Sequence, residues 1–151
     1  METGAEFQQR ATPYDYVTPY SRDGTVQRSP PNDFSGRWAS GGFLTTAEDM
    51  ARFGQGQIGD AFLDGSIRSL LFRPVSGLPG VAGYGLGWIS ARDLHGREVH
   101  FHFGAGSGST SFLAVYPEQG LVVAMIGNLG HAKLPFTRLV GIIEPFLAAR
   151  S

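Results

Sequence analysis

The most constraining feature of this sequence is the glycine-rich run from His102 to Ser111. Glycine occupies three of the five positions from 104 to 108, namely Gly104, Gly106 and Gly108. A glycine inside a strand or helix costs roughly 0.5–1 kcal/mol relative to alanine, so such a run is expected where a ligand or another backbone must approach closely. It predicts a strand edge that can pair with an extended ligand or direct a backbone N–H at developing negative charge. A glycine-rich β-turn without chemistry is the alternative.

Three common glycine motifs do not fit this run. A phosphate-binding loop requires Gly-Lys-Ser/Thr before a helix, and the only lysine of the chain is Lys133. A dinucleotide-binding turn leads into a helix, whereas the residues after Gly108 are typical of a strand. A nucleophile elbow requires a serine with glycine two positions before and two positions after it, and neither Ser107 nor Ser109 has them.

The composition limits the classes of function. The 151 residues are 42% hydrophobic and 17% charged, which is enough for one globular domain with a core. A net charge of −1 argues against nucleic acid as a partner. The absence of cysteine excludes disulfides and thiolate chemistry, and no apolar run reaches the roughly 18 residues that a membrane-spanning helix requires. The polar start, Met1 to Arg10, is not typical of a signal peptide, and the compartment stays open.

Three helices are predicted after an irregular stretch that covers residues 1–40. Thr45 is expected to be the N-cap of the first, because a glutamate three residues on completes a capping box, and Gly54 is expected to end it. The second helix is expected to open at Asp64 and to be stopped by Pro74. The third helix is predicted over residues 136–149, and Pro145 within it should kink or shorten the helix. The apolar side of this last helix is formed by Phe136, Leu139, Val140, Ile143 and Leu147.

Residues 84–128 predict an antiparallel meander. Glycine alternates with large apolar residues from Tyr84 to Ile89, which indicates a strand, and turns are expected at 94–97 and 117–120. The nearly continuous apolar stretch from Leu121 to Ile126 predicts a strand buried on both faces. The predicted fold class is therefore mixed α/β, an antiparallel sheet of three or more strands flanked by helices.

Three blocks of the sequence, in order, resemble the family of serine β-lactamases, penicillin-binding proteins and related esterases. They are the helix entry from Ser40 to Phe53, the string Tyr84-Gly85-Leu86-Gly87-Trp88, and His102-Phe103-Gly104 followed by Gly108, Pro117-Glu118-Gln119-Gly120 and Asn128. The resemblance covers residues 12–148 of a single domain, with residues 1–11 expected to form a flexible tail. It implies a partial β-lactamase/transpeptidase-like fold in which the third block lies on a strand beside the nucleophile.

The same resemblance implies roles for the glycine-rich strand. The catalytic residues would be His102, Gly104 and Ala105, and the substrate-binding residues would be Phe103, Gly106, Ser107 and Gly108. The His102 ring would orient or polarise groups around the nucleophile, and the Ala105 N–H would stabilise an oxyanion. Phe103 stands where the family usually carries threonine or serine. Losing that hydroxyl, which helps to hold a substrate carboxylate, favours an ester or lactone over a β-lactam.

The nucleophile motif of the family is missing. The family serine lies in Ser-x-x-Lys, whereas the position three residues before Lys133 is Gly130, and the Tyr-x-Asn or Tyr-x-Ser motif is also absent. Both motifs precede the Gly-Gly block in the family, so the chain resembles the C-terminal half of a hydrolase that cleaves small esters, lactones or amides through an acyl-enzyme. We expect the isolated chain to be inactive. Its partner would be an N-terminal half that carries Ser-x-x-Lys, or a second copy, because one sheet face and edge should be exposed. A non-catalytic binding or assembly module, a pseudoenzyme fragment, is the alternative.

Several residues have structural alternatives to these roles. His102 could be a core histidine, and His95, His100 and His102 could together bind a metal, although no carboxylate completes such a site at good spacing. We expect no metal and no cofactor. Asp49 and Arg52 could form a buried pair or part of a solvated face. Packing roles are expected for Tyr14, Tyr16, Tyr20, Trp38 and Trp88.

Overall fold

The structure, a computed structural model, describes most residues from 36 onwards and three short segments before them. The described residues are 2–3, 17–19, 26–28, 36–37, 40–41, 43–60, 62–78, 82–106, 108–129 and 136–149. The predictions made for Tyr14, Tyr16, Tyr20, Trp38, Ser107 and Lys133, and for most of the N-terminal tail, lie outside them.

The chain divides into two compact units. The larger unit comprises Glu48–His102, Phe112–Ala124 and Leu134–Ser151, and the smaller unit comprises Met1–Ala47, Phe103–Ser111 and Met125–Lys133. The glycine-rich strand passes from the larger unit into the smaller one after His102.

The described part of the chain contains three helices, α1 (Ala47–Ile58), α2 (Gly65–Phe72) and α3 (Phe136–Ala148). Helix α2 opens at Asp64 as predicted, and Asp64 is its N-cap, because its carboxylate accepts hydrogen bonds from the backbone N–H groups of Ser66 and Ile67 at 2.8 and 3.0 Å. Pro74 follows the end of α2, where it cannot continue the helix.

Helix α1 departs from the prediction at both ends. It begins at Ala47, and the Thr45 hydroxyl donates to the Thr46 carbonyl at 3.3 Å, so Thr45 is not the N-cap. Gly54 was predicted to end the helix and does not, since α1 continues to Ile58. The reason is packing: a Cβ at Gly54 would lie 2.6 Å from Val122 Cγ1, so glycine lets the helix approach the strands closely.

The main sheet has six strands in the order β10-β9-β8-β7-β6-β5. The strands are β5 (Ser76–Leu78), β6 (Ala82–Tyr84), β7 (Ile89–Arg92), β8 (Glu98–Gly106), β9 (Ser109–Tyr116) and β10 (Leu121–Gly127). Consecutive strands are neighbours, as the predicted meander requires. Antiparallel register places Tyr84 opposite Ile89 and Ile89 opposite Phe101. Two short pairs complete the described strands, β1 (Glu2–Thr3) with β4 (Phe43–Leu44) and β2 (Val17–Pro19) with β3 (Val26–Arg28). The predicted mixed α/β fold is confirmed.

Two strand predictions are corrected. The stretch from Tyr84 to Ile89 is not one strand, because a turn closed by a hydrogen bond from Gly85 N to Trp88 O at 2.7 Å separates β6 from β7. Gly87 provides the positive φ of +83° that this turn needs. Strand β10 is only half-buried, with Ile126 45% exposed, since it lies at the edge of the sheet. The fully buried strand segment is instead Phe112–Tyr116 of β9.

The core of the larger unit joins α1 and α2 to the sheet. Its buried residues are Phe72, Trp88, Leu113 and Val115, with Met50, Ile58, Leu71, Val122 and Ala124 packed around them. The rings of Phe72 and Trp88 meet edge to face, with centroids 5.5 Å apart. The predicted core position of Trp88 is confirmed, and its burial links the turn before β7 to the end of α2.

Helix α3 is apolar on more than one side. Leu139, Ile143 and Leu147 are buried as predicted, whereas Ile142 and Phe146 are 56% and 60% exposed. Pro145 lies inside the helix, which nevertheless continues to Ala148, so the helix is not shortened there. No helix in the described part of the chain is long and apolar enough to cross a membrane.

Candidate active site

His102 forms a solvent-exposed pair with Tyr84. The Tyr84 hydroxyl lies 2.8 Å from His102 Nε2, and the two rings meet nearly edge to face at a centroid distance of 6.0 Å. Both residues belong to the larger unit, and both side chains are exposed. A phenol bonded to an imidazole can orient that imidazole and can exchange a proton with it. His102 is therefore not a core histidine.

His100, two residues earlier on β8, is the core histidine. It is 2% exposed, its ring stacks on Phe72 at 3.9 Å, and its Nδ1 lies 2.8 Å from Ser90 Oγ. The Ser90 hydroxyl donates its only proton to the Phe72 carbonyl at 2.7 Å, so His100 Nδ1 must donate to Ser90 Oγ. In the neutral ring this donation leaves Nε2 without a proton.

Burial lowers the pKa of His100 from its usual 6.5 to about 4. The Glu98 carboxylate lies 3.3 Å from His100 Nε2 and would act in the opposite direction. The Glu98 side chain is 46% exposed, however, so water screens its charge and burial of the ring prevails. Within the described residues, no group of three or more His, Asp or Glu side chains is placed to hold a metal ion.

The rest of the predicted site lies along β8 in the smaller unit. Phe103 and Ala105 are exposed, and Gly104 and Gly106 are half-buried. A Cβ at Gly104 would lie 2.3 Å from the hydroxyl of Ser111 on β9, so glycine at this position accommodates a side chain of the neighbouring strand of the protein itself. Gly108 is buried and adopts a φ of +77° in the turn between β8 and β9. Two of the three glycines thus have local structural causes.

The structure brings together only part of the predicted site. Phe103, Gly104, Ala105 and Gly106 follow His102 directly on one strand, while Ser107 is outside the described residues. The oxyanion role of the Ala105 N–H stays a prediction. Tyr84 was missed as a partner of His102, although it opens the Tyr84–Trp88 block. Only the register of β6, β7 and β8 brings its hydroxyl to the imidazole.

An ion network in the larger unit was also missed. Arg97 donates from Nε to Asp93 Oδ2 at 2.7 Å and from both terminal nitrogens to the Glu144 carboxylate of α3. The Asp93 side chain is 1% exposed. Burial acts to raise the pKa of Asp93, but hydrogen bonds from the Arg97 side chain and from two backbone N–H groups outweigh it and lower the pKa. The network ties α3 to the β7–β8 turn, which is a structural role.

The fold can now be placed among known proteins. A model of the Beta-lactamase family matches residues 2–139, so the chain belongs to the Beta-lactamase family, as the three sequence blocks predicted. Among curated proteins, none matches this chain.

Three solved structures share the fold. A D-stereospecific amidohydrolase from Streptomyces sp. gives a TM-score of 0.71 at 23% identity, over 83% of this chain and 38% of that one. A penicillin-binding protein from Bacillus halodurans gives 0.65 at 17% identity, over 87% and 39%. The octameric penicillin-binding protein homologue from Pyrococcus abyssi gives 0.67 at 19% identity, over 83% and 29%. The chain therefore spans less than two fifths of the length of each of these proteins.

Proposed function

We propose that this chain supplies one wall of a serine-hydrolase active site whose Ser-x-x-Lys nucleophile comes from another polypeptide segment. The observation that carries the proposal is the exposed Tyr84–His102 pair, which lies where β8 enters its glycine-rich half. Membership of the Beta-lactamase family supports a hydrolase site on this strand, and the sequence contains no Ser-x-x-Lys.

The proposed reaction is hydrolysis through an acyl-enzyme. The serine oxygen bonds to the substrate carbonyl carbon, its proton passes to the lysine-side base, and the leaving alcohol or amine takes up a proton as its bond to carbon breaks. Water then releases the acid and restores the serine. In this scheme His102, held by the Tyr84 hydroxyl, orients or polarises the reacting groups. The Ala105 N–H stabilises the oxyanion.

The substrate is proposed to be a small ester, lactone or amide. Phe103 is exposed on the strand at the position where a hydroxyl residue would contact a substrate carboxylate in the family. An aromatic ring there offers an apolar contact and no hydroxyl, so uncharged acyl groups are favoured.

Complementation tests this proposal. The chain is mixed with the N-terminal portion of a family member that carries Ser-x-x-Lys, and hydrolysis of p-nitrophenyl acetate and nitrocefin is followed. We expect that neither polypeptide alone hydrolyses either substrate. The mixture should hydrolyse both, and p-nitrophenyl acetate faster than nitrocefin.

Variants of His102 and Tyr84, with a variant of His95 as the control, then test the catalytic roles of His102 and Tyr84. His102→Asn should lower kcat by about 100-fold, in the range of general acid–base effects. Tyr84→Phe should change kcat and its pH profile, whereas His95→Asn, which removes another exposed histidine, should change neither. Equal turnover by the wild type and His102→Asn would overturn the assignment.

A non-catalytic binding or assembly module is the second candidate. The exposed Ile142 and Phe146 of α3 favour it, because adjacent large apolar side chains at a surface are typical of interaction sites. A complex that forms with the N-terminal portion but hydrolyses neither substrate would support this candidate over the first.

A further inference from the structure

A cavity in the larger unit, lined in part by arginines, is not used by the proposed hydrolase site. It has a volume of about 750 Å³ and lies among α2, β7 and the start of β8. Arg68, Arg73 and Arg92 line it, and neither Tyr84 nor His102 does. A volume of this order is typical of small-molecule sites.

The charge of the lining is positive. Three arginines line the cavity, and Glu98 is the acidic residue that lines it in the described part of the chain. Asp60 pairs with Arg68 at 2.5 Å and is 93% exposed, so solvent weakens its effect. His100 adds no charge at neutral pH, since its buried ring is neutral. An excess of positive charge therefore remains at the cavity.

Arg73 has the most unused hydrogen-bonding capacity of the three arginines. Arg68 bonds through Nη2 to Asp60 and to the Leu63 carbonyl, and its Nε–H, which has no acceptor among the described residues, is itself buried. The Arg73 side chain is exposed, and within the same part of the chain it makes no ion pair or hydrogen bond. Arg92 bonds through one nitrogen to the Gly96 carbonyl. Guanidinium groups bind carboxylate and phosphate oxygens well, often through two parallel hydrogen bonds.

The rest of the lining is mixed. Pro74, Ala91 and Pro117 contribute apolar surface, and Ser69 and Ser90 contribute hydroxyl groups. Phe72 and His100 are 7% and 2% exposed and stack on each other, so their rings add little accessible surface. The apolar residues suit an apolar ligand portion, while the arginines suit its oxyanion.

We infer that this cavity binds a small organic molecule that carries a terminal phosphate or carboxylate on an apolar body. The inference is independent of the proposed hydrolase function, because it requires neither Ser-x-x-Lys nor His102.

The test uses the full chain and four probes: phenyl phosphate, benzoate, inorganic phosphate and the cation benzamidine. Binding is followed by calorimetry and by the NMR signals of the ring of His100, a residue that lines the cavity. We expect saturable binding of phenyl phosphate or benzoate that shifts the His100 signals, weaker binding of inorganic phosphate, and none of benzamidine. The tighter of the two organic anions identifies phosphate or carboxylate as the preferred group.

Matched charge variants locate the site. Arg73→Gln should weaken binding by about tenfold or more, as expected when a charged hydrogen-bonding partner is lost. Arg52→Gln removes an exposed arginine of the same unit that does not line the cavity, and should leave affinity unchanged. Both side chains are exposed, and equal thermal unfolding midpoints would establish that both variants fold.

Three results would overturn the inference: no saturable binding of either organic anion, equal weakening by Arg52→Gln and Arg73→Gln, or binding of benzamidine as tight as that of benzoate. If inorganic phosphate binds as tightly as phenyl phosphate, the inference that the ligand has an apolar body is overturned.

Discussion

Replacing Gly54 with alanine should destabilise the protein, although alanine is the better helix former. Gly54 lies inside α1, where the change would gain about 1 kcal/mol of helix propensity. The new Cβ would lie 2.6 Å from Val122 Cγ1, 3.2 Å from Leu113 Cδ1 and 3.3 Å from Val115 Cγ1. Val115 is fully buried and Leu113 is 7% exposed, so these two neighbours have little room to move, and the half-buried Val122 must shift to relieve the closest contact. Overpacking of a core costs typically about 1–3 kcal/mol.

We therefore expect Gly54→Ala to lower the free energy of unfolding by about 1 kcal/mol net, which is about 2–4 °C in Tm for a chain of this length. Gly56→Ala is the matched control, because its Cβ would meet Phe62 at an ordinary 3.7 Å in the same helix. That change should stabilise by about 0.5–1 kcal/mol. Urea unfolding followed by circular dichroism measures both. The packing account of α1 fails if Gly54→Ala is as stabilising as Gly56→Ala.

Three further predictions concern pH, the ion network and association. Between pH 6.5 and 4 the unfolded chain binds a proton at His100 and the folded chain does not, so lowering the pH from 7 to 4 should cost about 3 kcal/mol of stability. The variant His100→Phe should not show this loss. If urea titrations at pH 7 and pH 4 show the same loss for the wild type and the variant, the prediction is contradicted. Arg97→Met should lower the free energy of unfolding by about 3 kcal/mol, because it removes the charged partner of the buried Asp93. Arg52→Met breaks only exposed ion pairs and should lower it by less than about 1 kcal/mol. Similar losses of stability for the two variants in thermal unfolding would contradict this. The wild type should associate in sedimentation velocity through α3, and Phe146→Lys should be monomeric; a wild-type monomer at all concentrations would refute this.

The sequence predicts best where a local rule determines the structure. Asp64 caps α2 through its own neighbours, and the turn at 117–120 forms between β9 and β10 because Gly120 supplies the positive φ. The meander predicted over residues 84–128 follows from short turns that leave consecutive strands adjacent, whereas β5 and the separation of β6 from β7 were not predicted. The family blocks added the resemblance to a β-lactamase/transpeptidase-like fold.

The sequence predicts worst where a distant contact decides. Gly54 resembles a helix end, and only Val122, far along the chain, explains why the helix continues. His100 and His102 share a strand two positions apart, yet burial beneath Phe72 makes one neutral and structural, while Tyr84 makes the other a candidate site residue. The exposure of Ile126 depends on the edge position of β10, which the apolar run itself does not reveal.

We propose that this chain contributes a wall of a hydrolase site and does not contain its nucleophile. A fluorophosphonate labels activated serines, and intact mass spectrometry after treatment shows which polypeptide carries the label. We expect that the chain alone gains no phosphonyl group and that, in the complemented mixture, only the segment bearing Ser-x-x-Lys is labelled. A stoichiometric adduct on a serine of this chain, such as Ser107, that is lost in Ser107→Ala would contradict it.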